Sequence, residues 1–171
     1  MCQLLVYGEY VKTFYYCLDS ANTGKTTALN ATRTRIEQLI TKKGAPYTYD
    51  LVWGQHGRDF RGYFTFEEHR IGISSAGDFS SAVDDGLNAL APICDIVILA
   101  TRSKQSTVDS ANAFISGTYP NSEVVWLTKE HLADTTTPWT MLTLPRLTSL
   151  MARHTAESIT EIIQTLRPGT F

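Results

Sequence analysis

Apolar and aromatic runs alternate along the chain with polar, glycine-bearing breaks, and two periodicities can be read from them. The run KTFYYCL, Lys12 to Leu18, is apolar throughout and predicts a buried strand. A shorter strand is expected at Leu4–Tyr7. After the polar loop DSANTGKTT the period becomes helical. From Thr26 to about Lys42, the residues Ala28, Leu29, Thr32, Ile36, Leu39 and Ile40 share one face. Lys42-Lys43-Gly44 ends that helix, with cations at its negative end and glycine as the stop. Two aromatic strands follow, Tyr47–Trp53 and Gly62–Phe66. The loop between them carries Gly54 and Gly57 and predicts a hairpin. A short strand is expected at Arg70–Ser74. A helix over Phe79–Leu90 would bury Ala82, Val83, Gly86, Leu87 and Leu90, with Pro92 as its boundary.

Ile93–Ala100, ICDIVILA, is apolar on both faces, as a central parallel strand is. A helix at Ser106–Ile115, stopped by Gly117 and Pro120, and a strand at Glu123–Leu127 complete the middle of the chain. Ala133–Pro145 is rich in Thr and Pro and reads as loop. Leu147, Leu150, Met151, His154, Ile159, Ile162, Ile163 and Leu166 then form a long amphipathic pattern. Strands alternating with helices predict an α/β three-layer sandwich with a mostly parallel central sheet. Residues 1–171 are read as a single domain, with a C-terminal helix at about 146–167 packed on it.

Composition narrows the class. With 171 residues, 43% hydrophobic and 19% charged, the chain has enough apolar material for a core and too much for disorder as its main state. No apolar run is long enough for a membrane span, and the first residues do not form a secretory signal. Cys2, Cys17 and Cys94 stand far apart without metal spacing, which suits a reducing, cytoplasmic setting. None of the four histidines pairs at metal spacing. The net charge of −2 gives no indication of nucleic-acid binding.

The sharpest chemical signal is Ser20-Ala21-Asn22-Thr23-Gly24-Lys25-Thr26-Thr27. It follows a buried strand and opens a helix. In that geometry backbone N–H groups line a concavity at the positive helix end, where phosphate oxygens bind. The loop resembles the Walker A loop of P-loop nucleotide triphosphatases. The resemblance implies a P-loop NTPase-like fold and binding of ATP or GTP with Mg²⁺. In it, Ser20–Thr27 would hold phosphates, Lys25 would reach the β/γ-phosphates and the Thr26 hydroxyl would ligate Mg²⁺. Asp19 stands where the pattern has its first glycine, which predicts weaker affinity or a differently shaped loop.

Three further positions join this reading. Asp78, just after the strand Arg70–Ser74, is a candidate metal and catalytic acid; equally, it is the N-cap of the helix that follows. Asp95, at the amino end of its strand, reads instead as an edge or cap partner. Arg102 and Lys104 follow the central strand at its carboxyl end, where α/β sheets bind ligands; their alternative is a solvated loop. Thr128-Lys129 lies where GTPases read the base. His131 replaces the expected acid, which favours ATP over GTP and leaves Lys129 either to stack on a base or to stand in solvent. The loop Gln55–Arg61 carries two arginines, read as a solvated tip with an arginine finger as the alternative.

These residues predict Mg²⁺-dependent hydrolysis of a nucleoside triphosphate, with Lys25 and Asp78 catalytic, Thr26 and Asp78 on the metal, and Arg102 and Lys129 on the nucleotide. Two alternatives stay open. One is a small-molecule or nucleotide kinase. The other is a non-catalytic nucleotide-sensing switch or partner-binding module, which Asp19 favours. A protein partner or homo-oligomer is compatible with all three.

Overall fold

In the computed structural model, residues 13–19, 25–44, 46–51, 59–66, 69–102 and 105–128 are described, together with 153 and 157. Among the residues described from 13 to 128, nine elements follow in chain order: β1 (Thr13–Asp19), α1 (Lys25–Lys43), β2 (Tyr47–Leu51), β3 (Arg61–Phe66), β4 (His69–Ser74), α2 (Ser80–Leu90), β5 (Ile96–Arg102), α3 (Gln105–Thr118) and β6 (Glu123–Thr128). The expected strand at Leu4–Tyr7, the loop Ala133–Pro145 and most of the expected C-terminal helix lie outside the described residues. Arg153 and Glu157 are helical and exposed. With Ala31, Thr34, Arg35 and Gln38 of α1 they line one open cavity.

The six strands form one sheet in the order β2-β3-β4-β5-β1-β6. That sheet is mixed, which corrects the expected mostly parallel, P-loop NTPase-like three-layer sandwich. β1 pairs parallel with β5 and β6, and β4 with β5. β2–β3 and β3–β4 pair antiparallel. The physical reason lies in the connections. Only residues 67 and 68 separate β3 from β4, and a parallel return needs a crossover of a dozen residues or more. Among the described residues no helix intervenes among β2, β3 and β4, and that half of the sheet pairs as a meander.

β5 explains why its sequence is apolar on both faces. Ile96, Ile98 and Ala100 join Leu29, Ile36 and Ile40 of α1 with Phe64, Ile71 and Ile73 in one core cluster. Val97 and Leu99 face the other way, into a cluster with Val83, Leu87 and Leu90 of α2 and Ala111 and Ile115 of α3. Of the face predicted for α1, Ala28, Leu29, Thr32, Ile36 and Ile40 are fully buried and Leu39 is half-buried. Thr32 satisfies its hydroxyl within the helix, on the Ala28 carbonyl at 3.0 Å. α2 lies close on β4 because Gly72 has no side chain; a Cβ there would stand 2.9 Å from the Cys94 sulfur. Ser110 of α3 donates to Asp84 of α2 at 2.5 Å and ties the two helices.

This topology brings the carboxyl ends of β1, β4 and β5 and the start of β3 to one edge of the sheet. Asp19 is in register with Arg102, and Arg61 with Ser74.

Candidate functional site

α1 starts with Lys25 at that edge. The sequence places a lysine on the first helical turn, with no acidic residue beside it in that turn. It is 6% exposed. A buried ammonium needs counter-charge, and Asp78 provides it: Lys25 Nζ donates to Asp78 Oδ1 at 3.3 Å. Arg102, the last residue of β5, donates from Nε to the same oxygen at 3.1 Å. One carboxylate oxygen thus joins two cations carried by different elements.

The turn before α2 fixes Asp78. A Cβ on Gly77 would lie 2.1 Å from the Ala100 carbonyl oxygen, so only glycine lets the β4–α2 turn lie against β5 at this point. Asp78 makes no side-chain cap to α2, whose N-cap residue is Phe79. The two cations, rather than helix capping, hold it. Burial raises its pKa, but the hydrogen bonds and charges of Arg102 and Lys25 outweigh that and hold the carboxyl below the usual range. Arg102 is set from behind. Its N–H donates to Thr107 Oγ1 at 3.1 Å, and the Thr107 hydroxyl donates to its carbonyl at 3.0 Å. Its guanidinium stands 5.5 Å from the ring centroid of Phe79, which is 68% exposed. The neighbouring Thr101 hydroxyl is buried with no hydrogen-bond partner among the described residues.

A second group of side chains adjoins the first through Thr26, the residue after Lys25. Its hydroxyl donates to Asp59 Oδ1 at 3.0 Å. Ser75, just after β4, donates to the same oxygen at 3.1 Å. Ser75 Oγ also accepts the Phe60 N–H at 2.9 Å, and the Ser75 N–H donates to the Phe60 carbonyl at 2.9 Å. Phe60 packs on the α1 cluster, with Arg33 5.9 Å from its ring centroid. Anchoring Phe60 carries Asp59 to the amino end of α1.

The sequence-predicted residues divide accordingly. Lys25, Asp78 and Arg102 come together; Thr26 is beside them, and Thr27 is exposed. Ser20, Ala21, Asn22, Thr23, Gly24, Lys104 and Lys129 lie outside the described residues. Asp95 is the edge partner expected: its Oδ2 accepts the Arg70 N–H and its own N–H donates to the Arg70 carbonyl, both at 2.9 Å. The arginine-finger alternative does not suit Arg61, whose Nη1 donates to the Asp85 carbonyl of α2 at 2.7 Å; Arg58 lies outside the described residues. The sequence does not single out Asp59 or Ser75. The one signal it offers is an acid directly before an apolar residue at a strand start, a pattern too common to mark a site.

Among the described residues no group of three or more His, Cys, Asp or Glu side chains is arranged to hold a metal ion. No described helix is long and apolar enough to cross a membrane. No protein-family model, curated protein or solved structure matches the chain.

Proposed function

We propose that the chain binds a nucleoside triphosphate together with Mg²⁺ at this edge of the sheet and hydrolyses it, ATP in preference to GTP. The observation that carries the reading is the convergence of Lys25 and Arg102 on one carboxylate oxygen at the amino end of α1. Two cations within hydrogen-bond reach of one oxygen atom, beside a helix amino terminus, offer the chemistry that phosphate oxygens require. The Walker A-like loop supports it from the sequence. Lys25 is held as a preorganised charge and needs little rearrangement to meet a phosphate. Arg102 adds the planar donors of its guanidinium.

The donor set beside these cations fits a hard cation: the Thr26 hydroxyl, with a carboxylate on it at 3.0 Å. When bound, Mg²⁺ supplies neutralisation of phosphate charge. Asp78, already engaged by two cations, serves this reading as the group that orients Lys25 and Arg102 and exchanges with the incoming anion. In the same reading the chain works in the cytoplasm, where the buried thiol of Cys94 stays reduced.

The kinase reading uses the same cations with an acceptor beside Phe79. The switch reading keeps binding without turnover. Calorimetric titration of ATP and GTP with Mg²⁺ into wild type and Lys25→Ala tests the shared premise. Loss of triphosphate binding with an unchanged circular-dichroism spectrum is expected. Unchanged affinity in the variant refutes it.

A further inference from the structure

We infer that the cavity on the outer face of α1 binds a phosphate monoester carried on a hydroxylated carbon skeleton, with Arg35 and Arg153 holding the phosphate. The inference stands apart from the triphosphate reading and holds or fails without it.

The sequence of α1 sets two faces. Ala28, Leu29, Thr32, Ile36 and Ile40 go to the core. Ala31, Thr34, Arg35 and Gln38 follow the i, i+3, i+4, i+7 spacing of a different face, which the core does not use. Arg153 and Glu157, about one helical turn apart, complete the lining of a cavity of about 430 Å³. That volume lies within the range of about 300–1,000 Å³ found for small-molecule sites.

The charge in this cavity is unbalanced. α1 carries five cationic residues and one acid, Glu37. Glu37 is engaged elsewhere: its carboxylate accepts the Tyr47 hydroxyl at 2.7 Å. Arg33 is engaged too, donating to Asn30 and lying against the rings of Tyr49 and Phe60. Arg35 and Arg153 have no hydrogen-bond or ion-pair partner among the described residues. Two guanidiniums from separate segments thus share one cavity, and their mutual repulsion favours an anion between them. Each offers a planar fork of donors. A phosphate monoester has the oxygens and the nearly double charge to engage both.

The other lining groups select the skeleton. Thr34 donates its own proton to the Asn30 carbonyl at 3.1 Å, which leaves its oxygen as an acceptor. Gln38 brings an amide that donates and accepts, and Glu157 brings a carboxylate that accepts only. An apolar skeleton would offer these groups no partner, and a second anionic group would meet the Glu157 charge. Hydroxyls suit all three.

The test is calorimetric titration of glycerophosphate, inorganic phosphate and glycerol into the full chain at physiological salt. Glycerophosphate should bind saturably and about tenfold or more tighter than inorganic phosphate, and glycerol should not bind. Arg35→Ala and Arg153→Ala should each weaken it by about tenfold or more. Arg35→Lys should recover only part of the loss, because an ammonium lacks the fork. Gln38→Leu should bring glycerophosphate down towards inorganic phosphate. Lys25 lies about 15 Å from Arg35 along the helix axis, so Lys25→Ala should leave the affinity within about twofold of wild type. Arg35, Arg153 and Gln38 are exposed, so unchanged circular-dichroism spectra are expected of their variants. No saturable binding by wild type overturns the inference. So does full affinity in both arginine-to-alanine variants, or equal affinity for inorganic phosphate. A loss confined to Lys25→Ala would place the anion at the amino end of α1 and overturn it as well. Stronger competition by a single-stranded oligonucleotide would assign this face to a phosphodiester backbone and overturn it too. Inorganic tripolyphosphate separates the two readings. Tripolyphosphate binding lost in Lys25→Ala with glycerophosphate binding kept supports both. Tripolyphosphate affinity unchanged by Lys25→Ala sinks the triphosphate reading and leaves the phosphate-monoester site standing.

Discussion

Asp78 is half-exposed, yet two cations share its Oδ1, and its carboxyl is held below its ordinary value of 3.8. A depressed carboxyl stabilises the fold above its unfolded pKa and loses that contribution as pH falls through the folded value. The contribution is therefore complete at neutral pH and declines on acidification through the range below about 4. Urea midpoints of wild type and Asp78→Asn should differ at pH 7 and converge as the pH drops through that range. Parallel curves would show that the ion pairs contribute nothing to the fold. Legibility at the residue scale is uneven. Lys25, Thr26 and Asp78 can be picked out because a helix start and a strand end are visible in the pattern. Arg102 is visible only as a strand-end cation with a solvated-loop alternative. Asp59 cannot be found, because its place depends on Phe60 docking against α1, an element from an earlier part of the chain.

At the scale of elements, the turn between β4 and α2 must lie against β5 for Asp78 to reach both cations. Gly77 permits that contact. Gly77→Ala should lower stability by about 1–3 kcal/mol, the usual cost of forced overpacking, and should weaken anion binding by moving Asp78. Gly117, in α3, has nothing within 4 Å of the place a Cβ would take. The same change there should raise stability by about 0.5–1 kcal/mol, since alanine is the better helix residue. Denaturant midpoints of the two variants, shifted in opposite directions, check the argument; equal shifts would contradict it. Helices α1 and α2 are legible from their apolar faces, since 3.6-residue periodicity is a local property. The pairing of β2, β3 and β4 is only half legible. The hairpin signal is present, but the alternation of strands with helices elsewhere suggests a parallel sheet that the two-residue β3–β4 link does not allow.

For the molecule as a whole, the site couples to the fold, because its side chains come from α1, β5 and the segments flanking β3 and β4. A ligand that bridges them should stabilise all of these elements together. Tripolyphosphate with Mg²⁺ at a hundredfold its Kd should add about 2.7 kcal/mol. That corresponds to a rise in Tm of roughly 5–10 °C for a chain of this size. Thermal melts read it, and Lys25→Ala should show no rise; an equal rise in that variant would place the anion elsewhere. Local pattern by itself determined where the described elements lie to within a few residues, which faces α1 and α2 bury, and that the run Ile93–Ala100 holds the central strand, although that strand begins at Ile96 and runs on to Arg102. These follow from the spacing of apolar residues and from turn chemistry, which act over a few positions. Tertiary structure decided the order and direction of the strands, the sharing of one Asp78 oxygen by Lys25 and Arg102, and the meeting of Asp59 with Thr26. Those outcomes depend on connection length and on packing between segments far apart in the chain, and no local pattern carries that information.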